Sequence, residues 1–142
     1  MLVFDSVVGK RPAVPTPARR LVLCIDDERI GLRVRKLLLE RAGYEVLTAP
    51  DGATGLACFE NQPVEAVLLD FSMPGMDGGE VAAQMRRSKP EVPILLLSAY
   101  VGLPAEIDGL VDGYLTKADD ADTLLARLQS LLPSEAPARG AA

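Results

Sequence analysis

Val67-Leu68-Leu69-Asp70-Phe71-Ser72-Met73-Pro74-Gly75-Met76-Asp77-Gly78 begins as an apolar run and stops abruptly on a carboxylate. The run has the pattern of a strand buried on both faces. Open parallel sheets gather ligands and chemistry at the carboxyl ends of their strands, so Asp70 stands where reactions occur. Leu21-Val22-Leu23-Cys24-Ile25 ends in the same way on Asp26 and Asp27.

Outward from these two runs, strand-like and helix-like segments alternate. A helix after Asp27 places Ile30, Val34, Leu37, Leu38 and Arg41 at helical spacing and ends at Gly43, which suits a left-handed cap. A short strand around Tyr44 to Ala49 follows. A helix from about Asp51 to Asn61 carries Ala53, Leu56, Ala57 and Phe59 or Glu60 around one side, and the Asp70 strand leads to a helix from about Gly78 to Ser88. Pro90 and Pro93 bracket the next turn. Ile94-Leu95-Leu96-Leu97 ends on Ser98, and Tyr114-Leu115-Thr116 leads to Lys117. Leu124, Leu125, Leu128, Leu131 and Leu132 form the stripe of the last helix, with Asp119, Asp120 and Asp122 at its positive N-terminal end.

This (βα)5 pattern predicts an α/β, flavodoxin-like three-layer sandwich with a parallel sheet in the order 2-1-3-4-5 and right-handed crossovers. Strands one and three are then neighbours, which sets Asp26, Asp27 and Asp70 side by side. Ser98 and Lys117 end the next two strands out. The domain is expected over residues 21–132, with a flexible extension over 1–20, where Val3, Phe4, Val7 and Val8 offer some packing surface, and a flexible tail over 133–142.

Composition narrows the chemistry. The 142 residues, 49% of them hydrophobic, suffice for one core, and a net charge of -5 argues against a nucleic-acid surface. Arg33, Arg35, Lys36 and Arg41 share the first helix and read as a solvated face. Cys24 and Cys58 lack metal-ligand spacing and read as buried thiols in a reducing compartment. No stretch reaches the roughly 18 apolar residues of a membrane span, and Met1 to Gly9 makes a poor signal peptide, so a cytoplasmic protein without membrane contact is expected. The chain has no histidine. That removes Ser-His-Asp and Cys-His catalysis, histidine-ligated zinc and any phosphohistidine of its own.

Three packed carboxylates repel one another and need a cation among them. Magnesium suits them, because it takes hard oxygen ligands and leaves room for a phosphate oxygen. With Lys117 as a fixed charge and Ser98 as a donor, the set matches what phosphoryl transfer to aspartate requires.

Asp26-Asp27, Asp70 with Met73-Pro74-Gly75-Met76-Asp77-Gly78, Ser98-Ala99, and Tyr114 three residues before Lys117 occur in the order in which the chain resembles the receiver domain of two-component response regulators. The resemblance covers about Leu21 to Leu132. It implies that Asp70 accepts a phosphoryl group from the phosphohistidine of a histidine kinase or histidine phosphotransfer protein. It also implies Mg2+ held by Asp27, Asp70 and the backbone carbonyl of Ser72, with Asp26 helping through water. Lys117 would pair with the phosphoryl oxygens, Ser98 would move to bond one of them, and Tyr114 would swing inward behind it, changing the output face.

Two departures stand out. The family usually carries proline after the lysine, joined by a cis peptide, whereas this chain has Ala118. A cis bond there costs about 3 kcal/mol, so a trans bond is expected. The stretch from Ser98 to Lys117 is short and contains Gly102, Pro104 and Gly109, which predicts a short or irregular fourth helix. Ser72 and Tyr100 lie two positions beyond Asp70 and Ser98 and flank the route of an attacking water, so bulky Tyr100 is expected to lengthen the phosphorylated state.

With no DNA-binding or enzymatic segment after Leu132, the reading is a standalone receiver, monomer or weak homodimer, acting through a downstream protein target. It would be a signalling protein that catalyses only its own phosphorylation and slow dephosphorylation. A pseudo-receiver is opposed by the intact acids, Ser98 and Lys117. A flavodoxin-like cofactor protein is opposed by Asp26-Asp27-Glu28, which repel phosphate where such a protein needs a phosphate loop. A metal-dependent phosphatase would be told apart by turnover of an external substrate.

Overall fold

The computed structural model describes residues 19–132, except positions 74, 100, 101, 103 and 104. Among these described residues, five strands alternate with five helices: β1 (Leu21–Ile25), α1 (Arg29–Arg41), β2 (Glu45–Ala49), α2 (Gly52–Asn61), β3 (Ala66–Asp70), α3 (Gly78–Ser88), β4 (Ile94–Ser98), α4 (Ala105–Asp108), β5 (Gly113–Thr116) and α5 (Ala121–Leu131). All strand pairs are parallel, in the order β2-β1-β3-β4-β5, so the expected flavodoxin-like α/β topology is the one adopted. Val3, Phe4, Val7, Val8 and Tyr100 lie outside the described residues.

Successive strand residues point to opposite faces, and this alternation splits the core into two layers. Leu23, Ile25, Val67, Leu69, Ile94 and Leu96 pack with Phe59 of α2 and Val81 and Met85 of α3. Val22, Cys24, Leu68, Leu95 and Leu97 pack on the other face with Leu32 and Leu39 of α1 and Leu124 and Leu128 of α5. The Cys24 thiol is fully enclosed, and burial pushes its pKa up to about 12, so it is inert filling. Cys58 is also a free thiol but is half-buried at the edge of its layer. Among the described residues, no helix is long and apolar enough to cross a membrane.

In two helices the side turned inward differs from the one their spacing predicts, in part for α2 and more fully for α1. In α2, Phe59 is buried and Leu56 packs on the core as expected, with Gly52 and Gly55 buried beside them, while Ala53, Ala57 and Glu60 face water. Gly55 is there because helix and strand touch: a side chain at this position would collide with Ile25 of β1. In α1 the stripe of Ile30, Val34 and Leu37 is 77%, 57% and 54% exposed, whereas Leu32 and Leu39 are buried. Arg35 lies between those two at helical spacing, so the inward face carries a cation.

The expected short fourth helix is a single turn, Ala105–Asp108. Ile107 anchors it by packing where α3 presents Gly79, whose missing Cβ would lie 2.6 Å from Ile107 Cδ1. Behind that turn, Arg86 of α3 donates to the Leu110 carbonyl from Nε and Nη2 at 3.2 and 2.9 Å. It also pairs with Asp112 at 2.6 Å, and the same Asp112 oxygen accepts from the Ile94 backbone N–H. One guanidinium thus ties the lead-in to β5 onto the start of β4. Gly43, just past α1, takes the left-handed conformation expected of it, with φ 104°.

Candidate functional site

Strand register builds the site. Ile25 pairs with Leu69, so the residues that follow them, Asp26 and Asp70, leave adjacent strands side by side. Ser98 closes β4, and its carbonyl accepts from the Lys117 backbone N–H at 2.7 Å, which holds the lysine at the same edge. Asp26, Asp70 and Ser98 are buried, with 1%, 3% and 2% of their surface exposed. Asp27 is exposed beside them. One carboxylate oxygen from each of Asp26, Asp27 and Asp70 lies within 4.8 Å of the others. The three acids predicted to converge therefore do so.

Local structure fixes each group. Asp26 Oδ1 accepts from the Glu28 backbone N–H at 2.9 Å, and Asp70 Oδ1 accepts from the Ser72 N–H at 3.4 Å. Asp77 caps α3 by accepting from the Glu80 N–H at 2.9 Å. The start of that helix lies directly against the end of β3, since the Gly78 N–H donates to the Phe71 carbonyl at 2.8 Å. Ser72 is exposed next to Asp70, and Tyr114 is half-buried in β5, opposite Leu96.

The Lys117–Ala118 peptide is trans, there being no cis bond among the described residues. The loop that carries the lysine is held instead by Asp119, whose Oδ2 accepts from the Thr116 N–H at 2.9 Å and hydroxyl at 3.2 Å. Asp119 was expected only as a favourable charge on α5. The cap of that helix is Asp120, which accepts from the Thr123 N–H at 2.8 Å.

Among the described residues, two cations enter the acidic cluster. Lys117 Nζ is 3.0 Å from Asp26 Oδ2 and 3.3 Å from Asp70 Oδ1. The second is Arg35 of α1, which the charge pattern had placed on a solvated face. Its Nη2 donates to Asp26 Oδ2, and its side chain is only 15% exposed. Sequence offered one clue, a charge at the centre of the Leu32–Leu39 stripe.

The electrostatics follow from this geometry. Burial and the charge of Asp26 raise the Asp70 pKa from 3.8 to about 6, against the pull of Lys117. Burial pushes Asp26 the same way, but the Glu28 N–H, Lys117 and Arg35 outweigh it and hold its carboxyl below the usual range. For Lys117, burial is outweighed by Asp26 and Asp70, so its ammonium is favoured. With three carboxylates against two cations, one negative charge is in excess. Clustered hard oxygen donors with no nitrogen or sulfur among them suit a divalent ion such as Mg2+.

Residues 22–129 match the family described as the response regulator receiver domain. Response regulator MprA of Mycobacterium sp. (strain KMS) is 36% identical over 122 residues, which are 84% of this chain and 53% of that protein. Transcriptional regulatory protein TcrA of Mycobacterium tuberculosis is 36% identical over 113 residues, 78% of this chain and 45% of that protein. The chain thus spans about half the length of these relatives. Among solved structures, response regulator TrrA from Thermotoga maritima, in complex with Mg2+-BeF, is 33% identical with a TM-score of 0.76, covering 80% of this chain and 99% of that one. Chemotaxis protein CheY4 of Vibrio cholerae is 32% identical with a TM-score of 0.77, covering 81% and 100%. With its parallel sheet and its Asp26, Asp27 and Asp70 pocket, this chain belongs to the response regulator receiver domain family, whose work is two-component signalling and not turnover of an external substrate.

Proposed function

We propose that this chain is a phosphoacceptor receiver, taking a phosphoryl group on Asp70 from a phosphohistidine of a histidine kinase or histidine phosphotransfer protein and passing the signal to a downstream protein. The observation that carries this reading is the buried Asp70 carboxylate, within 4.8 Å of two further acids and 3.3 Å from Lys117.

With its pKa near 6, Asp70 is mostly ionised at neutral pH and is nucleophilic. One Asp70 oxygen attacks phosphorus as the bond to the imidazole nitrogen breaks, and that nitrogen keeps the electron pair. Asp26, Asp27, Asp70 and the Ser72 carbonyl are the groups that would hold Mg2+. When bound, the ion neutralises charge on the phosphoryl oxygens. Lys117 neutralises another of these oxygens, and the Ser98 hydroxyl donates to a third once the group is in place. Recruitment of Ser98 and Lys117 by about two added charges on Asp70 repacks the ends of β4 and β5, with Tyr114 following, and this alters the surface offered to the partner.

Intact mass after incubation with a small acyl phosphate, with and without MgCl2, tests this. A magnesium-dependent gain of one phosphoryl group, lost in Asp70→Asn, is expected. No gain in wild type contradicts the reading.

A further inference from the structure

Asp26 Oδ2 carries two cations at once, Lys117 and Arg35. Lys117 also serves Asp70, but among the described residues the Arg35 guanidinium donates to Asp26 alone. The arginine is an odd occupant of its position. It sits on the inward face of α1, three residues after buried Leu32 and four before buried Leu39. Helical side chains lean toward the N-terminus, which carries this one back over Gly31 to the cluster. A Cβ on Gly31 would lie 3.4 Å from each terminal nitrogen of Arg35 and 3.0 Å from Glu28 Oε1. Glycine in a helix interior costs about 1 kcal/mol relative to alanine, and here it leaves the guanidinium its passage.

We infer that Arg35 is a resident counter-ion of the acidic pocket, which a divalent cation must displace from Asp26, so that this arginine sets the metal affinity of the site. The inference rests on the proposed function above, in which these acids take Mg2+. In the metal-free protein Arg35 offsets the repulsion among Asp26, Asp27 and Asp70. The guanidinium cannot lose its proton and become neutral, so it makes room only by moving. It has somewhere to go. Arg35 also lines a cleft of about 190 Å³ between α1 and α5, whose walls include Asp119 and Asp120. Metal binding is then an exchange: the cation takes Asp26 and the guanidinium turns toward the acids at the start of α5. Arg35 is a positioning residue, touching a ligand carboxylate and not the phosphoryl group.

The test is calorimetric titration of metal-free protein with MgCl2, comparing wild type, Arg35→Gln and Arg33→Gln. Arg33 is exposed on the same helix and outside the cluster, so its variant reports the general effect of removing one positive charge. R35Q is expected to bind Mg2+ about tenfold more tightly than wild type. R33Q should stay within about twofold. Without metal, R35Q should melt below wild type, and saturating Mg2+ should bring the two together. If R35Q proves too unstable to titrate, Arg35→Lys takes its place, and a gain of about threefold is expected because the ammonium lacks the guanidinium's reach. Affinity unchanged in the Arg35 variant, or raised equally in R33Q, overturns the inference while leaving the proposed function standing. Absence of Mg2+ binding in wild type and variants alike overturns both.

Discussion

Lys117 Nζ lies 3.3 Å from Asp70 Oδ1, although the lysine is followed by alanine and a trans peptide. The contact is available because Asp119 folds back on Thr116 and the Lys117 N–H is tied to the Ser98 carbonyl. If this ammonium neutralises the incoming group, Lys117→Gln should slow phosphorylation by an acyl phosphate about 100-fold while the fold is retained. Rates from intact-mass time courses, with circular dichroism as the folding control, check this. A rate within threefold of wild type would remove the lysine from the mechanism.

The raised pKa of Asp70 gives stability a sign. A carboxyl that holds its proton more tightly folded than unfolded favours the native state fully below pH 3.8, and the advantage is lost as pH rises toward about 6. Metal-free Asp70→Asn should therefore match wild type near pH 3.5 and be the more stable protein at pH 7, by on the order of 2 kcal/mol. Saturating Mg2+ should shrink that difference by stabilising only the wild type. Chemical denaturation at both pH values reads it out, and a variant less stable than wild type at pH 7 would contradict the electrostatic account.

Gly78 marks the closest approach of α3 to the site. A Cβ there would fall 2.7 Å from the Asp70 carbonyl and 2.8 Å from Phe71 Cα, both backbone atoms that cannot step aside cheaply. Gly78→Ala is expected to destabilise the protein by about 2 kcal/mol, despite alanine's better helix propensity. It should also weaken Mg2+ binding, because Asp70 and Ser72 are on the segment that must shift. Thermal melts and MgCl2 titration together test this. A more stable variant with unchanged metal binding would show that helix and strand have slack.

The order of strands and the convergence of Asp26, Asp27 and Asp70 are legible in the sequence because two buried strands stop on acids and the crossover rule makes those strands neighbours. The inward face of α1 is not. Ile30, Val34 and Leu37 have the spacing of a core stripe and no interruption, while the true one, Leu32 and Leu39, is broken by Arg35. A cation on an inward face is discounted by any reading based on periodicity. It is tolerated here because Asp26, three residues ahead of α1, supplies its counter-charge. Asp119 escaped for a related reason: three acids before a helix all look like caps, and only the structure separates Asp120, which caps α5, from Asp119, which holds the lysine loop.

In the proposed function the phosphoryl group is bonded to Asp70. Borohydride reduces an acyl phosphate to an alcohol, so treating the phosphorylated protein and mapping its peptides by mass spectrometry identifies the aspartate that carried the group. Conversion of Asp70 to homoserine, dependent on Mg2+ and confined to that residue, is the predicted result. Reduction at another acid, or a stable phosphoryl group that leaves Asp70 intact, would contradict it.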